Sequence, residues 1–582
     1  METLARLRSD FFRREELRVR GRPREGARLG MAMPRKTLSS AVVLSVALSG
    51  CTLVGPDFLK PTAPVADTYV PVDSSPAAKS SSSSKSPASA QVLSARENPS
   101  EAEALTHWWT VFRDPTLNRL IETAYNQNLT LQSAGTRILA ARAELGIAAG
   151  NFFPQQQQLG GSVNYNRLSK EDALAFSNPP SNFWRASLGA QLAWELDFWG
   201  KFRRNIESAD AAYIASVANY DDVLVTLLAN VATTYIGIRT VQKQIELANA
   251  NIVRQQKALS IASDRFKNGA TSQLDVFQAQ NVLGATKARV PQLRIQLQEG
   301  IDLLRVLLGI APQSLDNMLG TSSGIPPAPK AVNIGIPADL LRRRPDIRNA
   351  EFTAAAQSAQ IGVAKADLFP AFSLVGNVGF ISSNVGQANL ADLFTHHAIA
   401  YSFGPTFQWN IFNYGQITNN VRVQDARLQT LLVDYQNVVL KAQQEVEDGI
   451  ARFVLSDEQA INLRDSVTAA TGALNLAFTQ YQEGLTDFTT VLTAEQNLLD
   501  AENNLAAATG ATSTGLVQIY RALGGGWEIS AGKEFVPPGT KNQMRERTNW
   551  GDLLSVSAGP DPSAPQPKPP TIDGTSIAAP AW

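Results

Sequence analysis

From Tyr213 to Ile238 the chain reads Tyr-Ile-Ala-Ser-Val-Ala-Asn-Tyr-Asp-Asp-Val-Leu-Val-Thr-Leu-Leu-Ala-Asn-Val-Ala-Thr-Thr-Tyr-Ile-Gly-Ile. Its seam positions, apolar but for Thr234 here and Gln255 further on, advance by four and three: Tyr213, Val217, Tyr220, Leu224, Leu227, Val231, Thr234, Ile238. The same steps continue through Val241, Ile245, Ala248, Ile252, Gln255, Leu259, Ala262 and Phe266. A mean step of about 3.5 residues keeps one seam against a partner helix when the helices supercoil left-handedly. Proline is absent from Gly200 to the breaker Asn268-Gly269, which predicts a rod of roughly 100 Å at 1.5 Å per residue. A compact domain cannot hold such a rod.

Composition narrows the function. The 582 residues carry 52 basic and 52 acidic side chains, a balance that offers nucleic acid no attraction. The single cysteine, Cys51, excludes an internal disulfide and any multi-cysteine metal site. No twenty-residue apolar run of the transmembrane-helix kind is present, so entry into a bilayer would take another form. Arg35 and Lys36 precede the apolar run Ala41–Leu48 in the order of a secretory signal, and Leu48-Ser49-Gly50-Cys51 resembles a bacterial lipobox, which implies a covalent lipid on Cys51. The arginine-rich residues 1–30 do not fit in front of a signal, so translation is expected to start at Met31 or Met33. Residues 1–50 are thus an N-terminal extension and signal peptide. Residues 51–106 are expected to form an extended segment, lipidated as the lipobox resemblance implies, whose Ser-, Ala- and Pro-rich part, 74–92, is a flexible linker.

Order is expected to resume at Trp108-Trp109. Asp114-Pro115 starts a helix that runs towards Gly150, and Phe153-Pro154 breaks it. The period then becomes two. Ala186, Leu188, Ala190, Leu192, Trp194, Leu196 and Phe198 alternate with mostly polar residues, and Leu159, Val163 and Tyr165 give a weaker partner strand. The connecting loop, Leu168 to Ser181, is rich in Ser, Asn and Pro.

The second half repeats the first. Trp194 to Gly200 returns 215 positions later as Trp409 to Gly415, and the same offset carries Phe266 to Tyr481, Gly269 to Gly484 and Leu308-Gly309 to Leu523-Gly524. The seam recurs from Leu428 to Tyr481. Both strands recur too, around Phe372–Phe380 and Tyr401–Ile411. Phe153-Pro154 is offset by 216 from Phe369-Pro370, so one residue is inserted upstream of the hairpin loop. The repeats span 107–314 and 337–527, joined by a Pro- and Gly-rich linker, 315–336. Residues 528–582, with seven prolines from Pro560 to Pro580, are expected to be disordered.

Each chain thus brings four strands of the roughly ten-residue length of a tilted outer-membrane strand. Four cannot close a barrel, and open edges in lipid are not tolerated, so either several chains share one barrel or the strands stay out of the membrane. Trp108-Trp109 with Asp114-Pro115, the Arg343-Arg344-Pro345-Asp346-Ile347 segment with Ala350-Glu351, the duplicated hairpin and rod, and Gly55-Pro56-Asp57 after the cysteine together resemble the outer membrane factors of the TolC type, lipoprotein branch. The resemblance implies a mixed α and β membrane protein: a long coiled-coil α-helical barrel continuous with a 12-stranded outer-membrane β-barrel, shared by a homotrimer with four strands per chain. It further implies a lipid-anchored channel that exports small molecules delivered by an inner-membrane pump and a periplasmic adaptor protein.

The two turns between rods, Arg265 to Asp275 and Tyr481 to Asp487, each place Gly after a long helix and Ser, Thr or Asp before the next. Ser272 with Asp275 fits a capping box. In the family these turns face the adaptor, which implies a docking rim of Gly269, Thr271, Ser272, Gly484 and Thr486. Asp275 matches a position where members narrow the entrance with carboxylates, although its repeat counterpart is Thr490; a helix-start acid is the competing role. Arg343-Arg344 reads as solvated or pairing between subunits. His396-His397 lack neighbouring ligands at metal spacing, and no metal or cofactor is expected beyond the lipid. No phosphate loop, nucleophile elbow or zinc helix supports an enzyme. The other readings are the conduit of a type I protein secretion system and a lipid-anchored coiled-coil stalk; the stalk has no need of the hairpins.

Overall fold

The computed structural model describes residues 53–66, 91–93, 105–167, 169, 182–320, 324–333, 343–385 and 388–554. In chain order the elements are β1 (Gln91–Leu93), α1 (Pro115–Gln127), α2 (Leu129–Gly150), β2 (Gln156–Arg167), β3 (Asn182–Leu196), α3 (Lys201–Lys267), α4 (Gln273–Leu308), α5 (Asp316–Leu319), β4 (Ala331–Asn333), α6 (Pro345–Ala366), β5 (Ala371–Ser383), β6 (Ile399–Gln408), α7 (Gln416–Glu483), α8 (Phe488–Ala522) and α9 (Pro538–Arg547). The expected duplication is explicit: helix, hairpin, rod and return helix occur twice. The rods α3 and α7 have 67 and 68 residues. Both start after a glycine in the left-handed region, Gly200 at φ 78° and Gly415 at φ 82°.

The hairpins merge into one antiparallel sheet in the order β2-β3-β5-β6. Its register sorts the faces. Leu159 lies opposite Ala190, Ala190 opposite Val378 and Val378 opposite Tyr401, an apolar row across all four strands. On the other face Gln158, Gln191, Asn377 and Ser402 make the corresponding polar row. A slip of one residue would exchange the faces. The inserted residue is also located. Strand register carries Gln156 to Ala371 and Ala193 to Gln408, both by 215, whereas Pro154 goes to Pro370 by 216. The extra residue is therefore Gln155, between Pro154 and β2. Its side-chain amide replaces a ladder rung: Oε1 accepts from Glu195 N at 2.7 Å and Nε2 donates to Glu195 O at 3.3 Å.

The main core lies midway along the rods, where α3, α7, α8 and α1 meet. Trp108, Phe112, Leu117, Leu224, Leu228, Ile236 and Phe453 are buried there, and Trp108 stacks on Tyr520 at 5.5 Å. A Cβ on Gly515 would sit 2.8 Å from Phe453 N, so glycine lets α7 and α8 touch backbone to backbone. Nearer the turns the core thins to a coiled-coil seam of Ala258, Ala262, Leu474, Ala477 and Tyr481. One window of α3 has a mean hydropathy of 1.3, high enough for a membrane span, but 61% of it is buried within the protein, as the seam requires.

Four expectations are corrected. The helix from Pro115 does not run unbroken to Gly150: Asn128 stands between α1 and α2 in extended conformation, accepts from Leu131 N at 2.8 Å and donates to Leu307 O at 2.9 Å. The linker 74–92 is not wholly free, because β1 pairs in parallel with β4, inside the second linker. Arg344 is neither solvated nor held for another subunit. It is 7% exposed and bonds Asp346 at 2.7 Å, Glu445 at 2.8 Å and the Ala522 carbonyl at 2.6 Å. Finally, residues 528–554 are ordered: α9 follows Pro537, and Val536, Met544 and Leu554 bury against Leu139 of α2. The proline-rich stretch beyond residue 554, the loop 171–181, Cys51 and the expected signal lie outside the described residues.

Candidate functional site: the paired rod tips

Each rod ends in the same closure. In the first, Gly269 has φ 74°, its N–H reaches Phe266 O at 2.9 Å and Ala270 N reaches Arg265 O at 2.8 Å. In the second, Gly484 has φ 78°, its N–H reaches Tyr481 O at 3.0 Å and Leu485 N reaches Gln480 O at 2.8 Å. These are Schellman turns, which need a residue free of Cβ strain at the left-handed position. The next helices are capped by Ser272, which accepts from Leu274 N, and by Asp487, which accepts from Thr490 N at 2.9 Å and Thr490 Oγ1 at 2.7 Å. Those bonds hold the Asp487 carboxyl below its ordinary range.

Asp275 does not complete the expected capping box. Its carboxylate turns away from Ser272 and accepts from the Thr271 hydroxyl and, at 3.0 Å, from the Tyr481 hydroxyl of the other tip. Arg265 adds two further ties between the tips. Its Nη1 donates to Gln482 O at 2.9 Å, and its guanidinium lies 4.8 Å over the Tyr481 ring. Tyr481 also packs on Phe488 at 5.1 Å. Burial, then the bond to Asp275 and its charge, raise the Tyr481 hydroxyl above its usual pKa, so it stays a donor at neutral pH.

The structure thus brings Thr271 and Asp275 together and places Gly269, Ser272 and Gly484 on the exposed rim, with Thr486 half-buried. Reasoning from spacing missed Tyr481 as the partner of Asp275, and Arg265 as the residue that meets Gln482 O and the Tyr481 ring. The available signal was that Tyr481, the last seam position of the second rod, stands where the first has Phe266.

The segment after the expected lipid site is also held. Arg204, its side chain 3% exposed, bonds Asp57 at 2.7 Å, Glu207 at 2.8 Å and Val54 O at 3.3 Å, while Val54 N donates to Trp199 O at 3.2 Å. Further along, Lys60 meets Glu351 at 2.6 Å and Gln443 Nε2 donates to Pro64 O at 2.9 Å. Residues 53–66 are therefore a strap, running from the junction of sheet and rod onto α6 and α7.

A sheet with one apolar and one polar face, standing on long coiled-coil rods, defines a protein of the membrane-channel class. Residues 120–310 and 336–525, one stretch in each repeat, match the family described as outer membrane efflux protein, and the chain belongs to that family. It is a transport protein of the outer membrane. Nodulation protein T of Rhizobium leguminosarum bv. viciae is 29% identical over 84% of this chain and 93% of its own length. The toluene efflux pump outer membrane protein TtgF of Pseudomonas putida is 28% identical over 85% and 98%. Among solved structures, the outer-membrane channel OprN is 33% identical with a TM-score of 0.71, covering 81% of this chain and 99% of that one. The Campylobacter jejuni CmeC channel, 20% identical with a TM-score of 0.70 over 86% and 99%, shares the fold.

Proposed function

We propose that three copies of this chain form one conduit, a twelve-stranded β-barrel in the outer membrane continued by an α-helical barrel into the periplasm. Through it an inner-membrane pump and a periplasmic adaptor expel small molecules. The observation that carries this reading is the sheet. Its apolar face is exposed, with Leu159 79%, Tyr401 80% and Phe403 73% accessible, and among the described residues β2 and β6 are unpaired on their outer edges. In lipid such edges must be closed, and three four-stranded sheets close a ring of feasible size. Lipid on Cys51, two residues before the strap begins, would anchor each chain at the membrane surface. Gly269, Ser272, Gly484 and Thr486 would meet the adaptor. The Asp275–Tyr481–Arg265 cluster would hold the entrance narrow until the tips part.

Semi-native electrophoresis of outer-membrane extracts tests the assembly: heat-labile trimers are expected, and monomers in the soluble periplasmic fraction would refute it. Planar-bilayer conductance of Asp275→Asn tests the entrance. Unchanged conductance and ion selectivity would remove Asp275 from the gate.

A further inference from the structure

Strand register assigns every charge on the sheet to one face or the other. Gln191 of β3 lies in the polar row, and residues two apart share a face, so Arg185, Ser187 and Glu195 lie on that face as well. Among the residues of the four strands the polar face carries only two charges, Arg185 and Glu195, since β2, β5 and β6 bring it amide, hydroxyl, glycine and apolar positions. The two stand at opposite ends of β3, roughly 33 Å apart at about 3.3 Å per residue. Glu195 is at the end that meets the rods, and Arg185 is near the hairpin loops.

The two ends are compensated differently. Lys201 Nζ lies 4.0 Å from Glu195 and 2.9 Å from Asp367, so a cation is shared where sheet and rod join. Arg185 is exposed, and none of the described residues forms a hydrogen bond or ion pair with it. Its polar neighbours serve one another instead. Asn164, directly opposite, donates Nδ2 to Ser162 Oγ at 3.2 Å, and the Ser162 and Ser187 hydroxyls meet at 3.0 Å. Further from the loops, the row Gly160, Gly189, Gly379 and Ala400 has no side chain long enough to overlie the guanidinium. A Cβ on Gly379 would sit 2.5 Å from Gly189 Cα, so close strand packing keeps that row bare.

We propose that Arg185 selects for anions at the outer mouth of the conduit, favouring small inorganic anions and departing molecules that carry a carboxylate or phosphate group. The inference rests on the three-chain barrel above, whose lumen the polar face would line. Twelve strands about 4.8 Å apart and tilted by about 40° close a ring roughly 24 Å across. An arginine extended into that ring brings its charge to within about one Debye length of the axis, roughly 8 Å at physiological ionic strength. Three such charges act on every ion that passes. A guanidinium also forks onto carboxylate and phosphate oxygens, which a point charge does not.

Reversal potentials of the full-length trimer in planar bilayers under a potassium chloride gradient test this. Arg185→Gln should lower the chloride-to-potassium permeability ratio by roughly two- to fivefold at about 0.15 M salt, and much less at about 1 M, where the Debye length shrinks to about 3 Å. Arg185→Lys should keep most of the preference. Arg167→Gln is the control: alternation puts Arg167 on the apolar face with Val163 and Tyr165, so its removal should leave the ratio unchanged. An unaltered ratio in Arg185→Gln trimers, or an equal shift in Arg167→Gln, would overturn the assignment while leaving the conduit standing. Unsubstituted protein that forms neither trimer nor pore would remove the conduit itself.

Discussion

Tyr481 Oη donates to Asp275 Oδ2 at 3.0 Å, tying the last seam residue of one rod to the first turn of the helix leaving the other. The two tips of one chain are thereby fastened side by side, with Arg265 bridging to Gln482 O beneath the same ring.

Removing that hydroxyl should loosen the entrance without unfolding the rods. A hydrogen bond to a charged group contributes about 1.5–3 kcal/mol, and Tyr481→Phe keeps the ring against Phe488 and Arg265. The expected result is higher single-channel conductance in planar bilayers with only a slightly lower thermal midpoint for the trimer. Conductance equal to that of the parent would show that the tie does not hold the entrance.

Glu495 should make stability depend on pH. Its side chain on α8 is wholly buried, neither carboxylate oxygen has a hydrogen-bond partner among the described residues, and Arg254, paired with Glu502 at 2.8 Å, is the charge that faces it. Burial pushes its pKa up to about 7, against a smaller opposing pull from Arg254. A raised carboxyl pKa means that the folded state holds a proton which the unfolded chain releases near 4.5. Stability from this group is therefore full below about pH 4.5 and is lost as pH rises towards 7. Glu495→Gln should flatten the decline between those values and raise stability at pH 8, by about 1.4 kcal/mol for each tenfold difference in proton affinity between the folded and unfolded chain. Parallel pH profiles of thermal midpoint for the two proteins would exclude this.

The strap should respond to Arg204 far more than to Asp57. Arg204 is buried and satisfies the carbonyl of Val54 as well as two carboxylates, whereas the Asp57 side chain is 87% exposed. Arg204→Ala removes both ion pairs and the bond to the half-buried Val54 carbonyl, a loss of about 1.5–3 kcal/mol, while an exposed partner is worth about 0–1. Limited proteolysis within residues 53–66 should accelerate strongly in Arg204→Ala and little in Asp57→Asn. Equal acceleration would mean that the ion pair alone holds the strap.

How much of this could be read in advance depends on the range of the interaction. The rods, the strands and the duplication rest on local periods and on an offset of 215, and all were legible from apolar spacing. The family match then confirmed the resemblance drawn from Trp108-Trp109 and Arg343 to Ile347. The break at Asn128 was not legible, because it depends on Leu307 O arriving from a helix far along the chain. Nor was order after Trp527: Val536, Met544 and Leu554 are too sparse to form a period and gain meaning only against Leu139. At the tips, the glycines and caps were evident from residue type. The Asp275–Tyr481 bond was not, since nothing in either turn says that the two lie side by side.

The proposed docking rim can be separated from the proposed entrance tie by comparing its two glycines. Both need the left-handed region, at φ 74° for Gly269 and 78° for Gly484, where an ordinary L-residue is strained by about 1–2 kcal/mol. Their surroundings differ. A Cβ on Gly484 would touch Arg265 Nη2 at 3.5 Å, an ordinary contact with the tie, whereas none of the described residues lies within 4 Å of a Cβ on Gly269. Gly269→Val should therefore leave trimers and conductance intact and reduce pump-dependent export in cells. Gly269→Asn, which tolerates the left-handed turn, should keep more of it. If Gly269→Val exports at the parental rate, the first tip is not a docking surface; if it loses trimers, the turn serves the fold rather than the adaptor.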